Sequence, residues 1–143
     1  MTCPCCGYLT LCRNNFDTCG LCLWTDDGQD DVDAETVSLG PNTGESLTSA
    51  RRNFAQHLVY SLGSADHPES RKEQTYAEKK MQIMALFDEA AAGVTNARFV
   101  EIFREATERL SELGEQRYQD KRRIDAEQEA SGHLNRDNQY NRR

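Results

Sequence analysis

Long apolar runs are missing from this 143-residue chain, and apolar side chains are scarce overall. Hydrophobic residues make up 37% of the sequence, charged residues 29% and aromatic residues 8%. Without a stretch of about 18 apolar residues, a membrane-crossing helix is excluded. With so little apolar material, one large core is excluded as well. The N-terminus carries neither the basic patch nor the apolar stretch of a secretion signal, so a cytoplasmic location and no membrane partner are expected. Histidine is rare: His57, His67 and His133 all lie far from the cysteines and read as helix, loop and tail residues. There is no G-x-S-x-G, P-loop or H-E-x-x-H motif, and no carboxylate pair with a nearby histidine. The chain is therefore not expected to be an enzyme. A thiol oxidoreductase using Cys3 and Cys6 is the one enzymatic alternative, and a bound metal would occupy those thiolates.

Basic side chains are almost absent from the first fifty residues. That stretch holds Arg13 against eight acidic residues, Asp17, Asp26, Asp27, Asp30, Asp31, Asp33, Glu35 and Glu45, for a charge of −7. The remaining 16 acidic and 16 basic residues cancel, so the whole net charge of −7 sits in this part. Such a field repels phosphates and attracts basic protein surfaces.

Against these absences stands an excess of cysteine. Three of six thiols fall within Cys3-Pro4-Cys5-Cys6, and Cys19-Gly20-Leu21-Cys22 follows. Cys3 with Cys6, and Cys19 with Cys22, have the C-x-x-C spacing of zinc knuckles, in which two thiolates of one turn converge on a metal. Gly7 supplies the positive φ such a turn needs. Four thiolates at tetrahedral corners make a structural Zn²⁺ site, and in a reducing compartment clustered thiols point to metal more than to disulfides. Iron is the alternative metal, although rubredoxins set their two cysteine pairs much farther apart. Cys12 reads as a half-buried small apolar residue. Cys5 stays open between a non-ligand, an alternate ligand and a redox thiol.

Three amphipathic stretches follow. Leu47, Ala50, Phe54 and Leu58 predict a helix from Ser46 or Thr48 to Gly63; Ala77, Met81, Met84, Phe87 and Ala91 predict a second; Phe99, Phe103, Ala106, Leu110 and Leu113 predict a third. The region around Pro68 has helix-start character. The last two stripes, joined across Gly93 to Asn96, predict an antiparallel hairpin. From about Lys121 the chain is polar and reads as a disordered tail.

The acidic run Asp26, Asp27, Asp30, Asp31, Asp33 and Glu35 lacks the order of a calcium loop. It reads as a solvated loop or as a partner-facing surface. Around it, "CPCCGYLTL", "CGLCLWTDDGQDD" and "GPNTGESLTSARRNF" resemble three successive blocks of the bacterial cysteine-rich CPCC family, a zinc-binding domain, over about residues 2–60. The resemblance implies that Cys3, Cys5, Cys6, Cys19 and Cys22 are the family cysteines, with Trp24, Asp26 and Asp27 as its W-x-D-D. It also implies that the first helix packs on a zinc ribbon. Trp24 is expected to cap the small core, met by Phe54 and Leu47, with Asp26 or Asp27 pairing Arg51 or Arg52.

The expected fold is therefore small α+β: a zinc-ribbon-like module with acidic loop and helix (1–62), a helical hairpin (63–130) and a disordered tail (131–143). The expected function is a non-enzymatic zinc-binding interaction module. One version is an immunity protein that neutralises a basic toxin domain, with Asp26, Asp27, Asp30, Asp31, Asp33 and Glu35 as its tentative contact residues. A nucleic-acid-binding zinc ribbon is the alternative, disfavoured by the negative charge of the ribbon itself.

Overall fold

The computed structural model describes residues 1–12, 16–42, 44–63 and 75–140, with residues 132–140 as backbone only. The expected helix start at Pro68, His67 and the last three residues of the tail lie outside the described residues. The architecture is mostly helical: α1 is Leu47–His57, α2 is Ala77–Ala91 and α3 is Asn96–Tyr140. The chain divides into two compact units, Met1–Ser111 and Glu112–Arg143.

The expected α+β zinc ribbon is not what the sequence builds. Among the described residues the first unit contains no sheet, only isolated antiparallel bridges at Thr18–Thr25 and Val37–Ser46. The two stretches of strand composition, 8–11 and 21–24, make only short local pairings: the Leu11 N–H donates to Met1 O (3.1 Å) and the Cys3 N–H to Tyr8 O (2.8 Å), and no sheet extends from them among the described residues. The Thr10 N–H donates to Tyr8 O (2.9 Å), and the Leu23 N–H returns to Cys19 O (2.9 Å). A side chain takes the place of a neighbouring strand at Thr25, where Asn42 Oδ1 accepts the backbone N–H (2.9 Å) and Asn42 Nδ2 donates to the carbonyl (2.7 Å).

Helix α1 begins at Ser46, whose side chain accepts the Ser49 N–H (3.1 Å) as an N-cap. It stops at His57, short of Gly63, because Leu58 adopts a left-handed conformation (φ 58°). The chain then turns back, with the Tyr60 N–H donating to Cys22 O (2.9 Å) and the Tyr60 ring standing edge-on to Trp24 (5.8 Å). Trp24 is fully buried, as expected of a core cap, but the ring set against it is Tyr60, while Phe54 meets Tyr8 (6.5 Å).

On α2 the inward face is Lys80, Ile83, Phe87 and Ala90, continued by buried Tyr76 at its N-cap, one position out of register with the expected Met81 and Met84. Met81 is 54% exposed and Lys80 is fully buried. The reason is chemical. Lys80 Nζ donates to the Leu58 carbonyl (2.6 Å), one of the acceptors left without an intrahelical partner at the end of α1. Its aliphatic stem fills the core on the way.

Residues 92–95 turn the chain into α3, helped by Gly93 at φ 87°. Phe87 then packs on Phe103 (6.1 Å), which stacks on Phe99 (5.8 Å). Ile102 and Ala106 complete the buried side of α3 within the first unit.

In the second unit α3 continues to Tyr140, where a disordered tail from 131 was expected. Few apolar residues do not forbid a helix. Residues 121–131 are mostly strong helix formers and include no glycine or proline. Same-helix contacts such as Gln119–Glu115 (2.6 Å) and Arg123–Asp120 (3.4 Å) add to them. No described helix is long and apolar enough to cross a membrane.

Candidate metal centre

The two C-x-x-C segments fold into the same turn twice. In the first, the Gly7 N–H donates to Cys3 O (2.9 Å) and the Cys3 N–H to Tyr8 O (2.8 Å). In the second, the Leu23 N–H donates to Cys19 O (2.9 Å) and the Cys19 N–H to Trp24 O (2.8 Å). Both turns need positive φ at the residue after the second cysteine, met by Gly7 (80°) and by Leu23 (69°). Glycine adopts that conformation freely, whereas a residue with a Cβ is strained there by about 1–2 kcal/mol. Nothing lies within 4 Å of a Cβ built on Gly7. Gly7→Ala therefore costs the backbone term alone, a loss of about 1–2 kcal/mol in denaturant titration of the metal-loaded protein.

These turns bring Cys3, Cys6, Cys19 and Cys22 together, with all four sulfurs within 4.8 Å of one another. Cys3 Sγ lies 3.6 Å from Cys22 Sγ and Cys6 Sγ 3.7 Å from Cys19 Sγ. A tetrahedron of thiolates about 2.3 Å from a central ion has edges of roughly 3.8 Å, so the geometry fits a metal. All six cysteines are free thiols. A sulfur-only tetrahedral set suits zinc or iron and not calcium or magnesium.

The sulfurs are supported from outside. Cys19 Sγ accepts the Cys22 N–H (3.4 Å) and lies 2.8 Å from the Thr10 hydroxyl, and Cys22 Sγ accepts the Trp24 N–H (3.4 Å). Hydrogen bonds from Cys22, Cys3 and Cys6 hold the Cys19 thiol far below its ordinary pKa. Burial, followed by the bond to Cys19, pushes the Cys22 thiol far above it, and Cys6 is also raised, first by its bond to Cys19. Without metal, protons thus remain inside the cluster. A bound ion must displace them, so affinity falls as pH falls.

Helix α1 and both helices of the hairpin rest on the knuckles. Arg51 Nε donates to Pro4 O in the first turn (2.9 Å), and Arg51 Nη2 pairs with Asp31 (2.7 Å), not with Asp26 or Asp27. The Tyr8 ring, next to Gly7, meets Phe87 of α2 (5.9 Å). Gly20, inside the second turn, faces Leu110 of α3 so closely that an added Cβ would lie 3.0 Å from Leu110 Cγ.

The family model described as Cysteine-rich CPCC matches residues 1–75, a span that holds both knuckles, the acidic loop and α1. The chain belongs to the cysteine-rich CPCC family. No curated protein and no solved structure matches it.

Within this CPCC module the fifth family cysteine, Cys5, is buried but stands outside the four-sulfur cluster, its thiol bearing on Cys22. Cys12 is exposed rather than half-buried. The six acidic residues divide. Asp26 and Asp27 are half-buried and serve their own loop, Asp26 accepting the Gly28 N–H (3.2 Å) and Asp27 the Gln29 N–H (3.3 Å) and Asn42 Nδ2 (3.3 Å). Asp30, Asp31, Asp33 and Glu35 are exposed, with Asp30 and Asp33 also accepting backbone N–H groups. Thr10, beside Cys19 Sγ, and Lys80, at the end of α1, are contacts that sequence reasoning missed. A threonine nine residues before a ligand carries no spacing signal, and a lysine counts as polar in any periodicity.

Proposed function

We propose that this CPCC protein is a non-enzymatic module in which a structural zinc ion fixes the shape of a protein-binding surface. Four protein thiolates complete a tetrahedron and leave no position for substrate, the pattern of structural rather than catalytic zinc sites. The observation that carries the interaction reading is the surface of the loop from Asp30 to Leu39. Exposed Asp30, Asp31, Asp33 and Glu35 alternate there with Val32 (95% exposed), Val37 (56%) and Leu39 (100%). Aliphatic side chains held in water among carboxylates suit a basic partner with an apolar centre, such as a basic toxin domain. In that version the protein is an immunity protein located in the cytoplasm.

Purification from the native host, including the products of adjacent genes, tests this. The expected result is a stable stoichiometric partner, bound more weakly at high salt. Asp30→Lys with Asp33→Lys and Glu35→Lys should abolish it while zinc content stays unchanged. Recovery of the zinc-loaded protein with no partner under these conditions removes the immunity reading.

A further inference from the structure

The two knuckles repeat one backbone turn but do not shield their sulfurs alike. In the second, Cys19 Sγ receives the Cys22 N–H and lies 2.8 Å from the Thr10 hydroxyl, and Cys22 Sγ receives the Trp24 N–H. The corresponding N–H groups of the first turn belong to Cys6 and Tyr8, and among the described residues they make no such bond. Among the described residues, Cys3 Sγ and Cys6 Sγ meet only other sulfurs. Burial divides the ligands further: Cys3, Cys19 and Cys22 are fully buried, while Cys6 is half-buried.

Hydrogen bonds draw charge from a thiolate and blunt it as a nucleophile, and burial keeps reagents away. Cys6 is the ligand that has neither protection. We propose that Cys6 is the oxidant-sensitive ligand of the centre, so that a peroxide releases the metal by attacking there first. The inference rests on the zinc reading above.

The electrons balance in two steps. The Cys6 thiolate attacks one oxygen of hydrogen peroxide; an S–O bond forms, the O–O bond breaks and hydroxide leaves. Sulfur is oxidised to a sulfenic acid as the peroxide is reduced. Cys19, whose sulfur is 3.7 Å away, then attacks the Cys6 sulfur; an S–S bond forms, the S–O bond breaks and a second hydroxide departs. Two of four ligands are lost, and the remaining pair no longer completes a zinc site. Cys5 is not required at either step.

The test uses full-length Cys12→Ser protein, because exposed Cys12 would otherwise consume oxidant. The protein is loaded with one Zn²⁺ per chain and treated with less than one equivalent of hydrogen peroxide. Dimedone traps sulfenic acid, peptide mapping locates it, and a chromogenic chelator reads free zinc. The expected result is dimedone on Cys6 before any other cysteine, a Cys6–Cys19 disulfide when dimedone is omitted, and loss of one zinc for each disulfide formed. First reaction at Cys3, Cys5, Cys19 or Cys22, or zinc retained after Cys6 is oxidised, overturns the proposal. A chain that takes up no zinc overturns the metal reading itself, an outcome seen at loading and so distinct from the others.

Discussion

Replacing Cys19 by serine is expected to abolish metal binding and to leave the N-terminal module without stable structure. Cys19 is fully buried, faces Cys6 at 3.7 Å, accepts the Cys22 N–H and lies 2.8 Å from the Thr10 hydroxyl, so its loss opens one corner of the cluster. A structural zinc ion contributes on the order of 10 kcal/mol to small domains, which is the whole stability of most of them. The rest of the module offers little to offset that loss. Its buried apolar residues are few, and no sheet among the described residues holds it together. Metal analysis and backbone amide spectra of the variant read the result directly. Cys5→Ser is the contrast, expected to keep both metal and fold because Cys5 lies outside the cluster. Equal loss in the two variants would show that Cys5 is a ligand.

Trp24→Ala is expected to cost about 3–5 kcal/mol, the usual range for deleting a fully buried large aromatic. The ring has no exposed surface, and Tyr60 stands edge-on against it. Trp24→Phe should cost clearly less. The indole Nε1 is buried without a hydrogen-bond partner among the described residues, so the ring's polar atom contributes no bond that phenylalanine would lose. Denaturant titrations of the zinc-loaded variants separate the two. A Phe variant as unstable as the Ala variant would mean that Nε1 has a partner in solution.

The four-cysteine cluster was legible in the sequence because cysteine spacing is a geometric instruction: two residues between cysteines, a positive-φ residue next, and a second copy of the same. The surrounding architecture was not. Tyr8-Leu9-Thr10-Leu11 and Leu21-Leu23-Trp24 have strand composition, yet their backbone groups are taken up within the knuckles and by Met1, so no sheet grows from them among the described residues. Leu23, at the position where the first turn has glycine, hides the repeat from a reader looking for matching residues. The inward face of α2 was missed by one residue for a different reason. Lys80 looks solvent-bound in sequence, but the unsatisfied carbonyl at Leu58 draws its ammonium group inside. Arg51 was recognised as a partner for the acidic loop, while its choice of Asp31 depended on a loop path that composition does not encode. The unequal shielding of the four sulfurs left no trace in the sequence at all. It depends on where single N–H groups point.

One consequence follows from the way the hairpin is seated. Tyr8 of the first knuckle bears on α2, and Gly20 of the second bears on α3. The α2–α3 pair therefore acts as a caliper whose two jaws rest on opposite halves of the cluster. Separation of the sulfur pairs is therefore expected to loosen the Phe87–Phe103 contact between α2 and α3. The spacing of the two helices would then report on a sulfur cluster a few ångströms wide, read out in the first four turns of α3.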